Sequence, residues 1–484
     1  MNRISRPLYN FPPCLFKKIL GAKYLLMAVL VITVSGCTSL GSYDTKSEET
    51  LQSLRLGDAV GALNGMGQHD PSDEKASEKI LSFMEKGSVE VMVGDLDGAL
   101  VSWTTADQGV QKWEEQAKIN PSKVAEAIGS VLINDKVRKY DPANYEKVFL
   151  TSNIGLLHAA MDNWDKARTE IKKTHEREAV IAEVNAKKYV KAEEDAAKSD
   201  QPVKSYKELD GYPVEIFESP KILGLKNSYQ NTLSHYLSGF VYEALGESSL
   251  AAPGYRKAIE LNPNAPILQT ALESLDRRSS EKSALPRKSD VLFVIGAGEI
   301  ARKLSQSIPV PIFTKDGLVV APISFPIFQE SPHHFFDVLS VNDETVVTQQ
   351  IMDVDAMAMR ELKDEMPGII LRSTIRATAK TLAQKEIQSR NAYAGLLMTA
   401  VSLVTESADE RMWRTLPSTV KIWRQPLEYG QHSISIGNQR FLIDIDSPHT
   451  VIPVRVIGGN AFLVSERDPE AAMQIVAEGA VSEL

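Results

Sequence analysis

Apolar residues recur every three or four positions from about residue 48 to 276, the spacing that gathers them on one face of a helix. Beyond about residue 290 the pattern changes. Short β-branched runs at 291–295, 318–323, 346–354, 419–423, 432–436, 441–445, 450–456 and 461–464 alternate with Gly, Pro, Asn and Asp turns and predict strands, read here as antiparallel. One long helical stretch, about 355–406, interrupts them. Residues 281–290 turn to Arg, Ser, Lys and Pro and read as a linker. The expected fold is α+β and multidomain: a helical domain over 48–280, a β-rich, sandwich-like domain over 291–470 with the helical insertion, and a C-terminal tail over 471–484.

Within the helical half, Gly239, Tyr242, Gly246, Ala251, Tyr255, Ala258 and Pro263 have the spacing of a helix pair running from about 232 to 265. Small residues let the two helices approach, the tyrosines fill the gap, and Pro263 ends the second helix. The pattern resembles a 34-residue tetratricopeptide repeat, departing from it at His235, Ser238 and Pro253. Gly94 to Leu100 with Trp103 and Ala106, and Gly155 to Ile171 with Trp164 and Ala167, look like two more copies. Ala99 and Ala167 are 68 residues apart, which is two periods. Gly57, Asp58 and Ala62 form a fainter copy. Each such unit leaves an apolar face for a neighbour, so the expectation is an N-terminal tetratricopeptide-like α-helical solenoid. Residues 176–227 break the spacing, first with an Ala/Glu/Lys-rich helix and then with a proline-bearing irregular insertion.

The first 36 residues carry only Arg3, Arg6, Lys17, Lys18 and Lys23 as charges, followed by an apolar run from Leu25 to Val34 that is too short to span a bilayer. It reads as a signal peptide. The run ends in Val34, Ser35, Gly36 and Cys37, which resembles the lipobox of bacterial lipoproteins; that resemblance implies acylation of Cys37 and anchoring to a membrane through its acyl (palmitate-type) chains. Thr38, in place of Asp, implies delivery to the periplasmic face of the outer membrane. Residues 37–47 read as a flexible tether. Cys14 falls within the signal, so the mature chain keeps one cysteine and no internal disulfide is expected. Removing the five basic signal residues leaves 49 basic against 63 acidic side chains, a charge of −14 that argues against nucleic acid as a partner.

Candidate chemistry is sparse. Gly296 to Ala301 matches a dinucleotide fingerprint, but no crossover helix fits before Pro309 and Pro311, so the glycines are read as a strand-end turn and no nucleotide cofactor is expected. His333 and His334 are adjacent and cannot easily converge on one ion, and no metal motif is present. No GxSxG, SxxK or phosphate loop occurs, and the protein is not expected to be an enzyme. Arg372, Arg376 and Lys380 form a stripe read as a solvated face, and the apolar run 393–404 reads as buried helix.

Residues 145–168, 236–263 and 408–417 together resemble a family of proteobacterial outer-membrane lipoproteins of unassigned activity, with tetratricopeptide-like repeats and a C-terminal β-rich domain. The resemblance spans nearly the whole mature chain. Its members are often encoded near lipoproteins that activate penicillin-binding proteins. It carries no activity over; the expected function is a membrane-anchored scaffold or adaptor in the periplasm that binds a periplasmic or outer-membrane protein through a groove like that of other tetratricopeptide solenoids. Leu81, Met84, Val91, Phe149, Leu156, Tyr236 and Phe240 would line that groove. The alternatives are a regulator of peptidoglycan synthesis acting on a synthase, and a wall hydrolase with an unrecognised site.

Overall fold

The computed structural model describes residues 43–67, 79–120, 122, 140–199, 206–281, 288–314, 317–332, 338–390 and 408–464. Cys37 with the signal segment, His333, His334, the run 393–404 and the tail lie outside the described residues.

Helical hairpins follow one another along the first half. Residues 49–55 precede α1 (Ala59–Gly65); α2 (Ile80–Val93) folds back on α3 (Leu96–Ile119), and α4 (Asn144–Ala160) on α5 (Trp164–Ser199). After two short 3-10 turns and α6 (Pro220–Leu223), α7 (Thr232–Ala244) pairs with α8 (Ser248–Leu261), followed by α9 (Pro266–Glu273) and α10 (Leu275–Glu281). The repeated Gly-Asp signal has a mechanical cause. Gly57 and Gly94 take φ of +81° and +90°, a left-handed turn that glycine adopts without strain. The aspartate that follows then caps the next helix, Asp58 accepting the Gly61 N–H at 2.7 Å and Asp95 the Gly98 N–H at 2.9 Å.

One contact recurs in three hairpins. A β-carbon on Gly87 would lie 2.4 Å from the Trp103 indole, and one on Gly239 would lie 2.5 Å from the Tyr255 ring; at Gly155 the matching neighbour is Ile171, 3.5 Å away. Each large residue stands sixteen positions after its glycine, and Ala99, Ala167 and Ala251, twelve positions after it, are fully buried. The crossing helices therefore close on a glycine notch in the same register each time.

The second half holds three sheets. A five-stranded sheet has the order β11 (Asn460–Leu463), β10 (His449–Ile457), β1 (Lys288–Ala297), β7 (Thr419–Glu428), β6 (Gln349–Asp353). A four-stranded sheet runs β5 (Glu344–Val346), β4 (Leu339–Val341), β8 (Gly430–Ile436), β9 (Gln439–Ile445). The two share one core containing Phe293, Ile295, Trp423, Ile434, Ile443 and Val454. The expectation of antiparallel strands throughout needs correction, since β1 and β10 pair in parallel from Asp290–His449 to Ala297–Val456. The physical reason is visible in β1, where five successive residues, Val291 to Ile295, are buried: a strand covered on both faces, as parallel pairs usually are.

The third sheet is a ribbon of two thirteen-residue strands, β2 (Arg302–Thr314) and β3 (Gly317–Gln329). The sequence reading missed β2, because prolines ordinarily argue against a strand. Here Pro309 lies opposite Pro322, Pro311 opposite Val320, and Pro326 opposite Ser305. All three pairs have the same parity, so every proline nitrogen points to the ribbon's outer edge and no cross-strand bond is lost. The ribbon packs on α11 (Val354–Arg390), the described part of the long helical insertion.

Residues Glu49–Leu484 cluster as one compact unit, so the helical and strand halves are parts of one body. Leu51, Leu54, Ala59, Ala62, Val89 and Met92 share a core with Ile457 of β10. Gly296 to Ala301 is the expected strand-end turn: Gly298 has φ of +74°, and Glu299 is buried and bonded to Arg55. The stripe reading is corrected at Arg376, which is buried rather than solvated.

Candidate functional site

The first-helix positions expected to line an open groove are mostly covered. Leu81, Met84, Phe149, Tyr236 and Phe240 are buried, and Val91 and Leu156 are half-buried. Tyr236 meets Tyr255 edge to face at 5.3 Å, while Phe240 packs edge-on to His449 of β10 at 5.8 Å and lies beneath the Arg424 guanidinium at 4.7 Å. Part of the cover comes from the chain's own second half. Arg424 of β7 reaches across to Glu243 at 3.1 Å and pairs with Asp290 of β1 at 2.5 Å.

The tightest part of this cover is the extended segment 408–418, which we call the seam. Trp413 is completely buried, edge-on to Trp103 at 6.3 Å, and its Nε1 donates to Ser88 and Thr415 at 2.9 Å each. Carboxylates from the helices meet the seam's backbone. Glu85 of α2 accepts the N–H of Arg414 at 2.6 Å and of Thr415 at 3.1 Å, and Glu146 of α4 accepts that of Trp413 at 2.7 Å. Buried backbone donors are thereby satisfied without strand pairing.

Beside the seam lies a cleft of about 610 Å³ bounded by the start of α4, by α5, α11, the ribbon and residues 408–412. Its walls are charged and largely paired. Lys188 meets Glu365 at 3.1 Å, Arg360 meets Asp364 at 2.9 Å, Arg411 meets Asp409 at 2.7 Å, and Lys147 meets Asp141 at 2.8 Å. Arg411 also lies over the Tyr140 ring at 5.6 Å. Lys303 of β2 lines the cleft half-buried and is in no hydrogen bond or ion pair with any described residue.

Two carboxylates one turn apart on α11 are driven in opposite directions. Burial, then the neighbouring Glu365 charge, pushes Glu361 well above the ordinary range. Burial also pushes Glu365 up, but Lys188 and Arg372 overcome it and hold that carboxylate below its ordinary value. Split carboxylates in a cleft are the raw material of acid–base hydrolysis. Geometry limits that use: both Glu361 oxygens accept backbone N–H groups at the start of α4, from Asn144 at 2.7 Å and Tyr145 at 3.2 Å. Glu361 acts as a clamp on a helix N-terminus, where a negative charge and free donors meet.

A second cavity of about 290 Å³ holds Glu330, Asp353 and Asp355 with Lys221 and Lys421. Burial, then the Asp353 charge, raises Asp355 to about 8 despite the N–H of Ala301 donated to it. Among the described residues no group of three or more His, Cys, Asp or Glu side chains is placed to hold a metal ion, and no helix is long and apolar enough to cross a membrane. Glu85, Glu146 and Glu361 escaped the sequence reading; the available signal was an acid set among apolar neighbours on a helix face, as Glu361 is between Met359 and Leu362. Comparison of the chain with known protein families, curated proteins and solved structures finds no match.

Proposed function

We propose that the protein is a lipid-anchored scaffold or adaptor of the bacterial envelope, tethered through Cys37 at the periplasmic face of the outer membrane, whose solenoid-like helical half and strand half work as one rigid support. The observation that carries the partner site is the cleft, an open cavity of about 610 Å³ at the joint of the halves. This reading moves the partner from the first-helix lining, which the seam and β10 cover, to the cleft beside it. A partner there meets preformed ion pairs, so little ordering is needed on binding.

The test places a photoreactive residue at Tyr189, 55% exposed at the cleft rim, or at Leu442, 54% exposed on β9, and irradiates intact cells. Discrete adducts at 189 and none of the same mass at 442 are expected. Identical adducts at both positions, or none at 189, would remove the cleft from the proposal. The anchor is tested separately: fatty-acid label is expected in the wild type and absent from Cys37→Ser.

A further inference from the structure

Resting on the cleft as the partner site, we infer that its occupant is a short extended peptide segment bearing one carboxylate, with Lys303 as its counter-charge.

The charge inventory comes first. Lys147, Lys188, Arg360 and Arg411 each have an acidic partner within 3.1 Å on the cleft wall, and Lys226 has Glu260 at 2.6 Å. Lys303 has none among the described residues, although it faces the cleft from the ribbon. Its field still acts on Asp409, Glu365 and Glu146, but the first two are already bonded to other cations and Glu146 to the Tyr140 hydroxyl and the N–H groups of Ala143 and Trp413. A half-buried ammonium with its neighbours already engaged is a place where a ligand carboxylate gains a charge-assisted bond without displacing one.

The walls then select the rest of the ligand. Glu365, Asp364 and Asp409 line the same space, so a group carrying two or more negative charges, such as a phosphate ester, meets repulsion that a single carboxylate avoids. The Asn185 amide and the Ser228 hydroxyl line the same space and can each donate and accept, which matches the alternating N–H and C=O of a peptide, while Asn227 is held by Tyr229 and Gln230. Pro326, Phe328 and Met412 give an apolar floor beside Lys303 for a side chain next to the charge. The cavity is large enough for several residues, since sites of roughly 300–1,000 Å³ enclose drug-sized ligands.

The experiment uses the full-length lipoprotein in detergent and three randomised tetrapeptide libraries: one with a free C-terminal carboxylate and no acidic side chain, one amidated with a single Asp or Glu, and one amidated with no acid. Retained peptides are identified by mass spectrometry. One or both carboxylate-bearing libraries should be retained about tenfold or more over the neutral one, and which of them is retained tells whether the carboxylate is terminal or side-chain. Lys303→Met should abolish that retention and Lys303→Arg should keep it, with melting midpoints unchanged in both. Equal retention of the neutral library, no retention of any library, or full retention by Lys303→Met would overturn the inference. Adducts at position 189 alongside such a failure would leave the cleft as a partner site and discard only its chemistry.

Discussion

The seam and the cleft lie side by side and both are lined by carboxylates, yet they are finished differently. In the seam each carboxylate ends on backbone N–H groups, as Glu85 does on Arg414 and Thr415, and the indole of Trp413 fills the space between. In the cleft Glu361 also ends on backbone N–H groups, but Glu365 and Asp409 end on cationic side chains around an open volume, and among the described residues one lysine is left over. Backbone donors cannot leave, whereas a lysine can turn to a new partner. A wall closed by backbone is built for holding, and one closed by side chains can be re-paired by a ligand.

The contrast is broken most directly at Trp413. Replacing this fully buried indole by alanine should cost on the order of 3–5 kcal/mol, read as a large fall in the thermal or urea midpoint, because cavity and transfer losses add. A small loss would mean that the seam is not what joins the halves. Next in size is Glu85→Ala, which strands the N–H groups of Arg414 and Thr415 and should cost about 1–3 kcal/mol. An unchanged urea midpoint for that variant would show that water can replace the carboxylate.

A smaller effect tests a further carboxylate that holds backbone, Asp355 on the N–H of Ala301. Its folded value of about 8 lies above its ordinary value of 3.8, so its neutral form is favoured by folding. The stability tied to that proton is present below the ordinary value and is lost as pH rises through about 8. Asp355→Asn keeps an acceptor and removes the titration. The wild-type midpoint should therefore fall more than the variant's between about pH 5 and about pH 9. Parallel curves would place the proton elsewhere. The smallest expected effect is on the cleft side, where Lys303→Met should shift stability by less than about 0.5 kcal/mol, as for surface positions without a partner. A loss as large as that of Glu85→Ala would make Lys303 part of the support.

Much of the helical half was legible because its determinants are local. A Gly-Asp pair predicts a left-handed turn and a cap within four residues, and the notch between Gly239 and Tyr255 lies within one helix pair. The pairing of β1 with β10 joins segments about 160 residues apart, and nothing in either run names the other, although the unbroken apolar stretch Val291 to Ile295 marked a doubly covered strand. The seam was hidden for a different reason. An acid that accepts a main-chain N–H, as Glu146 does from Trp413, constrains its partner's position and not its side chain, so it leaves no motif on the other strand. The cleft is assembled from the start of α4, α5, the ribbon, α11 and residues 408–412, and the lysine without an ion-pair partner among the described residues is visible only after the others have been paired off.

The ribbon's prolines carry a further consequence. Pro309, Pro311, Pro322 and Pro326 all direct nitrogen rather than N–H outward, and the outward N–H of Ser305 is taken by Glu410 at 3.0 Å. A bare strand edge is a template on which a second copy can lay its own strand. Along this ribbon the outward ladder is missing donors on both sides, so a neighbouring chain cannot find an unbroken run of partners there. Crowding many copies together should therefore leave each ribbon belonging to its own molecule, and the ribbon can stay long without seeding a shared sheet.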